Sequence, residues 1–241
     1  MGLTQYLAMT AAEISTCPTL PAHLAWMACH FSSSGPGLSN IPHFLPEHAI
    51  LIVTDRMPCS GHSPGVVTLQ LQEIISRFDC AGIVLDFQRP GDSETAAMVQ
   101  HIFHALSCPV AVSESYAAGL DGPVFLSPSP LHQQLETHLA PWMDREIWLE
   151  AALCQQDILV TESGTVYRPV FPPERLSGGF YSEKLHCRYH TQIRDDSIRF
   201  TLFDTPESLE RKLQAAVSMG VTQTVGLWQE LGTFPSGKES S

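Results

Sequence analysis

Basic residues are scarce in this chain: 13 Lys and Arg stand against 25 Asp and Glu in 241 residues, a formal net charge of −12. An acidic surface repels phosphate backbones and anionic lipid headgroups, so neither nucleic acid nor a membrane surface is an expected partner. No apolar run is long enough to span a bilayer. The first fifteen residues lack a basic start followed by a long apolar stretch, which points away from a secretory leader and toward the cytoplasm. No Cys-x-x-Cys pair is present. The seven cysteines, Cys17, Cys29, Cys59, Cys80, Cys108, Cys154 and Cys187, are odd in number and scattered, the pattern of reduced thiols and not of a disulfide framework. A Gly-rich phosphate loop and a G-x-S-x-G elbow are lacking as well. His101 and His104, and His186 and His190 beside Cys187, have no third and fourth ligand at a zinc spacing, so neither a metal nor another cofactor is expected.

Short apolar runs alternate with segments of helical period. The runs are 6–9, 24–29, 50–54, 83–86, 110–113, 124–127, 147–151 and 224–228. Many are apolar on consecutive positions, as strands are when both faces are buried in a parallel sheet. Eight such strands close a (β/α)8, TIM-type barrel. The count depends on 6–9, the least marked run; without it the pattern fits an open α/β sheet. Three helices are readable. Val67, Leu71, Ile74, Ile75 and Phe78 share one face, as do Met98, Val99, Ile102, Phe103 and Leu106, and Leu209, Leu213, Ala216 and Val217. The third begins at Thr205 as N-cap, with Pro206 in the first helical position, and Gly220 is a natural stop.

Two segments before the last strand break the alternation. Residues 158–167 read as a hairpin turning at Ser163–Gly164, and 189–203 as another turning at Asp195–Asp196. Between them 168–184, rich in Pro and Gly, reads as a loop. The expected organisation is one α/β barrel domain over 1–233, with small β-hairpin insertions between the last two barrel strands, and a flexible tail over 234–241.

Barrel proteins place their reactive groups at the C-terminal ends of the strands. The second strand ends at His30, the third at Asp55 and Arg56, and the fourth at Asp86, Phe87, Gln88, Arg89 and Pro90. Glu114 and Tyr116 follow the fifth, Glu150 is on the seventh, and Trp228 ends the eighth. Carboxylates, an amide, an imidazole and aromatics around one mouth suit a sugar, whose ring has an apolar face and many hydroxyls. Each of these residues also has a plainer reading. Asp55 and Arg56 form an ion pair bracing the rim; His30 is a hydrogen-bonded rim histidine; Glu114 and Glu150 are salt-bridged or solvated; Trp228 is a core aromatic.

Phe78 through Pro90 resembles the fourth strand of glycoside hydrolase family 18, whose pattern is D-G-x-D-x-D-aromatic-E, often followed by a Pro; Gly82, Asp86, Phe87 and Pro90 match. Tyr189 through Gly232 is similar to the closing hairpin, helix and last strand of short bacterial members, with Trp228 at the tryptophan that floors their sugar site. The resemblance implies substrate-assisted hydrolysis, in which Asp86 orients the substrate's acetamide. The family's catalytic Glu falls at Gln88, and its two earlier Asp fall at Ala81 and Val84. A carboxamide has no proton to give near neutral pH, yet it still donates and accepts hydrogen bonds.

The residues thus suggest a degenerate family 18-like barrel that binds a glycan or related small ligand without hydrolysis. Asp86, Gln88, Glu114, Tyr116, Trp228, His30 and Asp55 are the candidate ligand contacts. Two alternatives stand: an active glycosidase using Glu114 and Glu150, or a non-enzymatic scaffold that binds a partner. Ligand identity and oligomeric state are left open.

Overall fold

The computed structural model describes residues 2–89, 92–128, 134–169 and 176–232. The elements run β1 (Thr4–Met9), α1 (Ala11–Thr16), β2 (Leu24–Phe31), β3 (Leu38–Ser39), β4 (Ile50–Thr54), α2 (Pro64–Phe78), β5 (Gly82–Asp86), α3 (Ser93–Ala105), β6 (Val110–Ser113), β7 (Val124–Leu126), α4 (Leu135–Leu139) and β8 (Ile147–Glu150). There follow β9 (Gln155–Thr161), β10 (Gly164–Pro169), β11 (Phe180–Ser182), β12 (Cys187–Arg194), β13 (Ser197–Phe203), α5 (Pro206–Ser218), β14 (Val221–Leu227) and α6 (Trp228–Leu231).

Eight parallel strands close on themselves in the order β1, β2, β4, β5, β6, β7, β8, β14 and back to β1; β3 is added antiparallel on β2. Every one of the eight apolar runs is a barrel strand. The least marked, β1, is the one that closes the cylinder, with Tyr6 opposite Val225 of β14 and Leu7 opposite Leu24 of β2. One buried cluster draws a residue from each barrel strand, including Tyr6, Ala25, Ile52, Val84, Ala111, Phe125, Trp148 and Val225. Side chains alternate across a strand, so a set shared by all eight strands lies inside the cylinder.

The chain divides into two compact units. The barrel strands lie in the unit formed by Met1–Pro128, Trp142–Ala151 and Gly220–Trp228; the second comprises Ser129–Pro141, Ala152–Met219 and Gln229–Ser241. In the second unit β10, β9, β13, β12 and β11 form an antiparallel sheet in that order. Both expected hairpins are present, β9–β10 and β12–β13. The first turns one residue earlier than the sequence suggests, and Gly164, at φ 136°, opens β10. β11 falls within the stretch read as loop: it is three residues long, and pairing to 187–189 defines it more than its own composition does. The tail 234–241 lies outside the described residues.

Helix α5 starts where its sequence marks it. Thr205 Oγ1 accepts from the Ser208 amide and Ser208 Oγ accepts from the Thr205 amide, a reciprocal cap. Beside it the Asp204 side chain is fully buried; it accepts from Lys212 Nζ at 2.5 Å, from the Cys154 amide at 2.8 Å and from Ser208 Oγ at 2.9 Å. Removing one partner of a buried ion pair strands the other, at about 3–5 kcal/mol. Lys212→Met is therefore expected to lower stability by that amount in urea denaturation, whereas Lys184→Met, away from any described ion pair, should not.

Candidate functional site

The segment after β5 is held from several sides. Ser113 Oγ, at the end of β6, accepts from the Phe87 amide at 2.9 Å and donates to the Leu85 carbonyl at 2.8 Å. Asp55, just beyond β4 and buried, accepts from the Gln88 amide (3.1 Å, Oδ1) and the Arg89 amide (2.7 Å, Oδ2). Arg89 returns Nε to the Asp55 carbonyl at 2.8 Å and Nη2 to the Arg56 carbonyl at 2.9 Å. Tyr116 is buried, donates its hydroxyl to the Arg89 carbonyl at 3.2 Å, and sets its ring edge-on to Phe87 with centroids 6.1 Å apart. Such a loop is preorganised: the side chains it carries do not have to be ordered by a ligand.

Asp86 ends β5 two residues after the inward-facing Val84, opposite Thr54 of β4, and so faces the barrel interior at its C-terminal mouth. Gln88 Nε2 donates to Asp86 Oδ1 at 2.5 Å. Burial pushes the Asp86 carboxyl above its ordinary range; the Gln88 hydrogen bond pulls it back in part, and the nearby Asp55 charge raises it further. A carboxyl whose pKa is raised by folding costs stability wherever it must ionise. That cost is absent below the ordinary Asp range, grows as pH rises through it, and is complete above the folded pKa. Asp86→Asn is therefore expected to melt higher than the wild type at pH 7 and no higher at pH 3. A variant that melts lower at pH 7 would contradict the burial argument.

The other sequence-derived candidates are placed as follows. Glu150 follows the inward Trp148 by two residues and shares its side of β8. Glu114 is exposed, in the 3₁₀ turn Glu114–Tyr116 that follows β6. Trp228 is half-buried and opens α6 instead of ending the last strand. His30 Nδ1 lies 2.8 Å from the Phe31 carbonyl and Nε2 lies 3.1 Å from Asn40 Nδ2; a ring protonated on Nδ1 satisfies both. The expected Asp55–Arg56 ion pair is not among those formed by the described residues, because the Asp55 carboxylate is engaged by two backbone amides. Hydrogen bonds and a ring contact thus join Asp55, Asp86, Gln88 and Tyr116 in one network through the 87–89 segment.

Sequence reasoning overlooked Ser113 and Arg89 as organisers of this segment. The signal for Ser113 was available: it is a lone hydroxyl ending an otherwise apolar barrel strand. Beside the network is a cavity of about 340 Å³ lined by Asp55, Cys59, Arg89, Asp92 and Thr95 among others. Among the described residues no group of three or more His, Cys, Asp or Glu is arranged to hold a metal ion, and no helix is long and apolar enough to cross a membrane.

No family model matches the sequence, and no curated protein matches it significantly. Solved structures do match in fold. A chitinase from Chromobacterium violaceum superposes with a TM-score of 0.58 at 12% identity, over 93% of each chain. A mutant GH18 chitinase from Cycas revoluta in complex with (GlcNAc)4 gives 0.59 at 10% identity, over 92% of this chain and 94% of that one. The Bacillus cereus spore cortex-lytic enzyme SleL gives 0.54 at 9% identity, over 93% of this chain and 70% of that one. The chain thus has the fold of the glycoside hydrolase family 18 chitinases, a (β/α)8 barrel.

Proposed function

We propose that this barrel binds a chitin-type or related glycan at its C-terminal mouth and does not cut it. The observation that carries this reading is Gln88: a carboxamide hydrogen-bonded to Asp86 occupies the place where the resemblance puts the proton-donating Glu. Asp86 remains to accept from a substrate acetamide, and the pinned 87–89 segment keeps both side chains in position. The loss of a positioned general acid lowers a rate by roughly 10²–10⁴-fold, while the hydrogen-bonding capacity of the site is kept. One fold neighbour supports the idea that such a mouth still holds sugar: the Cycas revoluta chitinase solved with (GlcNAc)4 carries a Glu-to-Gln substitution as one of its two changes. In the cytoplasm, where we place this chain, the ligand is a soluble fragment and not the polymer.

Isothermal titration with chitohexaose and with soluble peptidoglycan fragments tests the proposal. Saturable heat from at least one of them is expected, lost in Asp86→Ala and kept in Glu114→Gln. Silence from both with a folded protein removes the support. Release of reducing ends that survives Gln88→Ala but disappears in Glu150→Gln would hand the chemistry to Glu150.

A further inference from the structure

The sheet of the second unit has two unlike faces. Its register places Arg168 beside Asp157 and Thr201 in one row, and Val166 beside Leu159, Arg199 and Gln192 in the next. Arg194 opposite Ser197 falls in the third row. By the alternation of side chains these residues share one face. The opposite face carries Ile158, Val160, Tyr167, Ile198 and Phe200. The polar face encloses a cavity of about 350 Å³ whose lining includes all three arginines, with Gln192, Ser197, Leu159 and Val166.

The charges there are unlike the rest of the chain. Residues 155–203 hold six basic and six acidic side chains, although the whole chain has 13 against 25. Asp157 is committed to Arg199, with which it forms an ion pair, and to Thr201 Oγ1 at 2.6 Å. Burial pushes the Asp157 carboxyl up, but the bonds from Arg199 and Thr201 and the charges of Arg199 and Arg168 outweigh it, so it stays ionised below its ordinary range. Asp196, the other acidic lining residue, accepts from Ser197 Oγ at 3.1 Å. Among the described residues neither Arg168 nor Arg194 takes part in an ion pair. The register puts Arg168 and Arg194 at opposite corners of the face, on β10 and β12, with Arg199 of β13 between them.

We infer that this face is a second ligand site, for an acidic oligosaccharide. Guanidinium is the side chain best shaped for carboxylate. Guanidinium-bearing side chains at separated corners, neither in an ion pair among the described residues, suit a linear ligand with repeated carboxylates more than a compact anion. Gln192 and Ser197 offer partners for hydroxyls, and Leu159 and Val166 offer an apolar floor for sugar rings. The site is distinct from the barrel mouth and does not depend on it.

Titration calorimetry on the full chain at low salt, with hexagalacturonate, neutral chitohexaose and a short polyphosphate as probes, tests the inference. Hexagalacturonate is expected to bind, to bind more weakly as NaCl is raised, and to lose about tenfold or more in Arg168→Gln/Arg194→Gln. Both arginines are exposed, and circular dichroism checks that the variant is folded. Asp86→Ala should leave this binding intact, which separates it from the barrel-mouth proposal. The inference is overturned if the wild type does not bind hexagalacturonate, if the double variant binds it equally well, or if polyphosphate binds as tightly, since bare charge would then account for the heat.

Discussion

Gln88→Glu is expected to raise hydrolysis of a chitin oligomer by roughly 10²–10⁴-fold over the wild-type background, the usual contribution of a positioned general acid. The substitution preserves length and shape and replaces an amide donor by a carboxyl. In the structure that side chain's terminal atom lies 2.5 Å from Asp86. Two carboxyls at such a distance cannot both ionise near neutral pH, so the pair retains one proton. A retained proton is what protonation of a leaving oxygen requires. The gain should vanish when Asp86→Asn is added, because the proton-sharing partner and the group that orients an acetamide are both lost. Full family-level rates are not expected, since Ala81 and Val84 still stand where the resemblance puts two further Asp residues. Reducing-end release from chitohexaose by the single and double variants measures both effects. A gain that persists in the double variant would mean that Asp86 has no part in it.

A stability effect as large as that of Lys212→Met is expected at Trp148. Its side chain is completely buried within the barrel, and Nε1 donates to Glu146 Oε1 at 2.9 Å. Trp148→Ala should cost about 3–5 kcal/mol, through lost burial and the cavity left behind. The same ring explains the glycine that opens β5. A Cβ on Gly82 would lie 2.8 Å from Trp148 Cη2 and 2.9 Å from the Pro109 carbonyl oxygen. Gly82→Ala should therefore destabilise by about 1–3 kcal/mol through overpacking. Trp148→Phe, which withdraws part of the bulk, should recover some of that loss, so the double-mutant cycle is non-additive. Additive costs in urea denaturation would mean that the carbonyl, and not the ring, excludes the methyl group. Since β5 ends at Asp86, the contact that fixes Gly82 also fixes the strand that presents the site.

The barrel was legible because its physics is local to each strand. A parallel strand buried on both sides is apolar at consecutive positions, and many of the eight runs carry that mark; the least marked, at β1, is a barrel strand all the same. The two hairpins were legible from turn residues between β-prone runs. β11, α1, α4 and α6 were not: each is three to six residues long, too short to show a period. The site was legible in part. Asp86 and Gln88 stood out through the resemblance and through their place at a strand end. What Asp55 does was not legible, because sequence proximity to Arg56 suggested a charge pair, whereas folding brings the amides of Gln88 and Arg89, more than thirty residues away, onto its carboxylate. Trp228 was placed at a strand end and instead begins a one-turn helix directly after β14 ends at Leu227.

Equilibrium dialysis of chitohexaose against the wild-type chain, followed by mass analysis of the recovered sugar, addresses the main proposal most directly. Intact hexamer concentrated on the protein side, and no longer retained by Asp86→Ala, is the result expected of a mouth that grips without a proton to give. Shorter oligomers in the recovered sugar, produced equally by the wild type and by Gln88→Ala, would contradict it.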